Sequence, residues 1–120
     1  MATVVNGYTI EAGADLSGAD LNGADLSGAI LSRADLRDAD LSGADISGAI
    51  LWDADLSGAD LSVADLTNAY LTDAYLTNAD LTGANIYNAI GVEGLSQEQL
   101  ASTVSKVPTP TIDLNDADGT

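Results

Sequence analysis

The run ADLSGADLNGADLSGA, residues 14–29, decides how this chain folds. Alanine recurs at every fifth position from Ala14 to Ala89, and fifteen pentads of the form A-D-L-S-G fill residues 14–88. Their third position is Leu16, Leu21, Leu26, Leu31, Leu36, Leu41, Ile46, Leu51, Leu56, Leu61, Leu66, Leu71, Leu76, Leu81 and Ile86. A helix turns about 100° per residue, so a five-residue step advances about 140° and scatters the leucines round the whole surface. A strand alternates faces at each residue, so an odd period sends successive leucines to opposite sides. A chain that turns a corner every five residues keeps all of them inside. The fifth position suits corners. It is Gly at 18, 23, 28, 43, 48, 58 and 83, and Asn or Asp at 38, 53, 68, 73, 78 and 88. These residues tolerate the positive φ that a type II turn requires. Arg33 and Val63 break the rule, and a different turn type is expected at those two corners.

The number of corners per coil is written in the second position. It is usually Asp, but it becomes Ile30, Ile50 and Tyr70, and the flanking half-units supply Ile10 and Ile90. Those exceptions stand twenty residues apart, which is four pentads. Four corners therefore close one coil, and the five apolar residues stack in one column of a solenoid.

Runs such as ADLSGADLNGADLSGA resemble the pentapeptide-repeat family, whose consensus is often written A-(D/N)-L-x-x. The resemblance covers about two thirds of the chain, Ala14 to about Ile90. It implies an all-β solenoid, a right-handed quadrilateral β-helix of about four coils. Ala and the central Leu point inward and the other three positions outward. A C-terminal helix is also common in that family.

The domain organisation follows. Residues 1–13 form an N-terminal cap or first partial coil, with Ile10 in phase with the apolar column and Val4 to Ile10 covering the open edge. Residues 14–90 form the β-helix. Residues 91–106 are a short capping helix, with Ser96 as N-cap and Gln99 completing a capping box. Leu95, Leu100 and Val104 give it an apolar side, and Lys106 suits its C-terminal end. Residues 107–120 read as a flexible tail. Its DLNDADG stretch fails as a calcium loop: Asp113 and Asn115 fit, but Ala117 occupies a ligand position and Gly119 comes one residue late.

The chemistry of the side chains excludes most catalysis. There is no His and no Cys, so neither a His-activated nucleophile nor a thiolate metal site can form. Paired carboxylates need a cleft to shift their pKa values, and a smooth rod has none. No catalytic residue, cofactor or dedicated metal site is expected. The N-terminus lacks the basic and apolar regions of a signal peptide, and no membrane-spanning run occurs, so a cytoplasmic location is expected.

Two surfaces remain. The net charge is −16, and Asp residues stack in columns: Asp20, Asp40, Asp60 and Asp80 on one face, Asp25, Asp45 and Asp65 on the next. A third face carries Asp15, Asp35 and Asp55, followed by Tyr75. With three basic residues in the chain, direct nucleic-acid binding is not expected. The acidic surface keeps the solenoid soluble, or it imitates the phosphates of DNA. Resemblance to family members that protect type II topoisomerases (gyrase) implies the latter. The apolar column is the sharper feature. Ile30, Ile50, Tyr70 and Ile90, with Trp52 beside them, form an exposed ridge of the kind that marks a contact site, and Tyr75 and Tyr87 extend it. The expected function is a non-catalytic acidic scaffold or protein-interaction module. Its partner is another protein or a second copy, bound through the apolar column or the C-terminal helix. No membrane partner is expected.

Overall fold

The computed structural model describes residues 3–105. The chain enters through a hairpin: β1 (Thr3–Val5) pairs antiparallel with β2 (Tyr8–Ile10). Asn6 and Gly7 join them, with φ of 52° and 84°. Two consecutive positive φ angles define the I′ turn that suits hairpin twist, and Asn-Gly is its preferred sequence.

From Asp15 onward the backbone forms single parallel bridges between residues twenty apart. One column runs Asp20–Asp40–Asp60–Asp80 and another Ile30–Ile50–Tyr70–Ile90. Between bridges each pentad closes a turn, in which the N–H of the next Ala donates to the carbonyl of the central Leu, as in Ala19 to Leu16 at 3.0 Å. The fifth residue of every pentad has a positive φ. Arg33 and Val63 are no exception, at φ 61° and 58°, which corrects the expectation of a different turn there. Their N–H groups donate to the carbonyls of Trp52 and Thr82 in the next coil, at 2.8 and 2.9 Å. The same turns are closed by Ala34 and Ala64. These bonds over-determine the left-handed backbone, and the side chains accept its cost of about 1–2 kcal/mol.

The repeat satisfies its amides position by position. The second residue donates to the Ala carbonyl one coil back, as Asp35 does to Ala14 at 2.8 Å. The third donates one coil forward, as Leu16 does to the Asp35 carbonyl at 2.7 Å. The fifth also donates forward, as Gly18 does to Arg37 at 2.8 Å. The first closes the turn. The fourth N–H points away from every neighbouring coil, and the Asp side chain captures it. Asp45 Oδ1 accepts from the Ser47 N–H at 3.0 Å and from its hydroxyl at 2.6 Å. An N–H that no neighbouring coil can receive is paired locally in this way by an Asx turn.

Inside, the central side chains from Leu16 to Leu81 are buried, as are most of the alanines. Ile86 is only partly buried, because it belongs to the last coil. The core is aliphatic throughout, and alanine at the first position leaves room for the Leu ladders.

The C-terminal cap differs from the expected 91–106 helix. Gly91, at φ 87°, passes so close to the backbone of Leu71 and Thr72 that a Cβ would collide with it. A 3₁₀ turn follows at Val92–Gly94, then α1 (Gln97–Ser102), six residues long. The Ser96–Gln99 capping box is present. Leu100 faces solvent at 39% exposure, while Leu95, ahead of the helix, is buried against the core. Val104 leaves the helix and forms a single parallel bridge with Asn85. The helix sits on the last coil through a polar contact. Gln99 Nε2 donates to the Leu76 and Ala79 carbonyls at 2.7 and 3.2 Å, while its Oε1 accepts from Ser96 N–H. Met1, Ala2 and residues 106–120 lie outside the described residues, and with them Lys106, the tail and the Asp113–Asn115 stretch.

Candidate interaction surface

The apolar column is continuous. Ile30, Ile50, Tyr70 and Ile90 are joined by successive bridges, so their side chains project from one wall at strand spacing, about 4.8 Å apart. Ile30 is 57% exposed, Ile90 51% and Tyr70 37%, while Ile50 is half-buried. Trp52 is 46% exposed and meets Tyr70 edge-on, with ring centroids 6.3 Å apart. That T-shaped packing fixes two large rings side by side. Ile10 does not extend the ridge: the hairpin takes it into the core, at 6% exposure. Tyr75 stands on the neighbouring column above Asp55, and Tyr87 is half-buried on the column of Asn85.

The ridge departs from the turn chemistry of the other walls. Where Asp is replaced by Ile30, Ile50, Tyr70 or Tyr75, no carboxylate is present to receive the fourth N–H. Among the described residues the N–H groups of Ser32, Trp52, Thr72 and Thr77 have no hydrogen-bond partner. These pentads leave apolar side chains in water and also forgo a bond that the repeat makes elsewhere.

The acidic columns are tied into the backbone. Asp25, Asp40 and Asp80 are held below the usual carboxylate range by hydrogen bonds from Ser27, Ser42 and Thr82, side chain first and backbone second. Asp35 is held low by Arg37, whose guanidinium grips it at 2.9 and 2.7 Å. Arg37 also approaches Asp55 at 3.9 Å and so partly neutralises that column. Asn85 fills an Asp position and accepts from Tyr87 N–H at 3.0 Å, so the turn needs the oxygen and not the charge. This structural role was missed in reading the Asp columns as surface charge. The signal was present, since Ser or Thr usually follows Asp at two residues' distance.

Among the described residues no cluster of His, Cys, Asp or Glu has the arrangement to hold a metal ion. No described helix is long and apolar enough to cross a membrane.

The family model for pentapeptide repeats matches residues 14–53 and 54–90. The chain belongs to the pentapeptide-repeat family. Among solved structures, a pentapeptide repeat protein from Nostoc PCC 7120 is 36% identical, with a TM-score of 0.51, over 78% of this chain and 82% of its own. HetL, a pentapeptide repeat protein involved in heterocyst differentiation regulation in the cyanobacterium Nostoc sp. strain PCC 7120, is 40% identical over 68% of this chain, with a TM-score of 0.43. This chain spans 42% of the length of HetL. A pentapeptide repeat protein from the Arabidopsis thaliana thylakoid lumen is 32% identical, with a TM-score of 0.35, over 75% of this chain and 70% of its own. No curated protein matches the sequence.

Proposed function

We propose that this pentapeptide-repeat chain is a non-catalytic scaffold that binds a protein partner through Ile30, Ile50, Tyr70, Ile90 and Trp52. The scaffold is a right-handed quadrilateral β-helix of about four coils. Turns every five residues and bridges every twenty support that geometry. A single observation carries the functional reading. The ridge is where the repeat abandons its own turn bond and exposes aliphatic and aromatic side chains, so folding does not explain it. Trp and Tyr on a rigid wall are efficient interface anchors, because little side-chain freedom is lost on binding.

Capture of partners from an extract of the host organism tests this. Ile50→Asp and Trp52→Ala are expected to lose the partner, while the triple variant Asp40→Asn, Asp60→Asn, Asp80→Asn keeps it. The opposite pattern, with steep weakening by salt, overturns the ridge reading. It favours an acidic surface that imitates DNA towards a type II topoisomerase. A wild type that captures nothing overturns both readings and leaves a spacer whose walls bind nothing, and equal capture by all variants places the contact on neither surface.

A further inference from the structure

The N-terminal end of the solenoid carries an unfilled strand position. Asp25 and Ile30 belong to the first coil, so no coil beneath receives their N–H groups, and among the described residues nothing else does. The carbonyls of Asp25 and Ser27 are equally unpaired, whereas the equivalent groups of the second coil are all bonded. The hairpin does not close this edge. Tyr8 hydroxyl receives the Asp20 N–H at 3.2 Å on the adjacent wall, but beneath Asp25–Ile30 a cleft of about 570 Å³ remains. Its walls include Val5, Ile10, Leu26 and Ala29. An unpaired edge beside an apolar cleft is a site for strand addition.

The chain carries a segment written in the matching grammar. Residues 112–118 read Ile-Asp-Leu-Asn-Asp-Ala-Asp: one pentad with Ile in the first position, then the start of another. The flanking residues set the register: with Leu114 central, Asp113 falls in the second position and Ala117 in the first position of the next pentad, whereas Ile112 in the centre would put Pro110 and Thr111 there. Aligned on Ala24–Ile30, it supplies the four missing bonds by the rule the other coils follow. Asp25 and Ile30 donate to the Ile112 and Ala117 carbonyls. Leu114 and Asp116 donate to the Asp25 and Ser27 carbonyls. Leu114 then enters the cleft beside Val5 and Ile10.

Reach decides whose segment it is. Val104 tops the column Asp25–Asp45–Asp65–Asn85, five strand spacings above the empty position, or about 24 Å. The eight residues from Val104 to Ile112 span at most about 26–29 Å fully extended. They must also swing out round the wall and turn back beneath it, which leaves too little chain. The C-terminal end of a second copy, placed end-on, meets no such limit. We propose that residues 112–118 of one copy complete the first coil of the next, linking the rods head to tail. Such a contact is heterologous and does not close on itself, so it builds chains of copies rather than a fixed dimer.

Sedimentation velocity of the full chain from micromolar to near-millimolar concentration tests the proposal. The average mass should climb past that of a dimer as concentration rises. Added salt should strengthen association by screening the −16 charge of each copy. Leu114→Asp, which leaves the repeat block of residues 14–90 unchanged, should stay monomeric, and excess synthetic peptide of residues 107–120 should dissociate the wild type. Ile50→Asp should associate normally, which separates this contact from the ridge. A wild type monomeric throughout overturns the proposal, as does Leu114→Asp associating like wild type, or Ile50→Asp alone abolishing association.

Discussion

One carboxylate oxygen holds most corners of this protein, wherever the second residue of the pentad is Asp. Asp60 Oδ1 takes both the Ser62 N–H, at 2.9 Å, and its hydroxyl, at 2.6 Å. Asp60→Ala leaves that amide without its partner and is expected to lower stability by about 0.5–1.5 kcal/mol in chemical denaturation. Asp60→Asn keeps the acceptor, as Asn85 does, and should cost clearly less. Equal losses would mean that charge, not the turn bond, matters there. Val63 presents the opposite case, a β-branched residue at φ 58° with its side chain 71% exposed. Val63→Asn removes the steric conflict at little cost in packing. It should stabilise the fold by about 1 kcal/mol, raising Tm by about 4–8 °C for a unit of this size. An unchanged or lower Tm would show that the strain is absent. The sequence pattern identified every corner but misjudged Val63 and Arg33, because local preference was weighed without the inter-coil bonds that override it.

At the level of elements, the pentads were legible and the ends were not. A strict period writes the inward Leu ladder and the twenty-residue stacking directly into the residue order. The cap is built from non-repeating contacts, which no period announces. Leu100 has the spacing of a core-facing residue yet lies in solvent, while Gln99 anchors α1 by giving two hydrogen bonds to coil carbonyls. The capping box was readable from Ser96 and Gln99, but the second use of the same amide was not. Gln99→Glu preserves the capping-box acceptor and removes the donor, setting a carboxylate against the Leu76 and Ala79 carbonyls. It should cost about 1–3 kcal/mol, with faster hydrogen exchange confined to the cap and last coil. Exchange that stays at the wild-type rate there would show that α1 is held by something else. The ridge was readable as a column of exceptions to Asp. Its inward end was not, since Ile10 obeys the twenty-residue phase but is drawn into the core by hairpin pairing.

For the whole molecule, charge and fold are coupled through the same carboxylates. Asp25, Asp35, Asp40 and Asp80 all have pKa values lowered from 3.8 in the folded state. A folded value below the unfolded one stabilises the protein above the unfolded pKa and is lost as pH falls through the folded values. Stability should therefore be level from neutral pH down to about 4–5 and decline below that, despite the relief of repulsion between stacked carboxylates. A melting temperature that rises steadily into acid would show that repulsion dominates.

The proposed role of the ridge implies that folding does not require it, and thermal unfolding of Ile30→Asp tests that implication without knowledge of any partner. The substitution restores the common pentad, places an acceptor beside the N–H and hydroxyl of Ser32, and gives up a side chain already 57% exposed. The turn bond gained and the partial burial lost are each about 1 kcal/mol, so Tm should stay within about 5 °C of wild type. A fall of more than about 10 °C would mean that Ile30 is held by the fold, and would contradict the reading of the column as a surface kept for recognition.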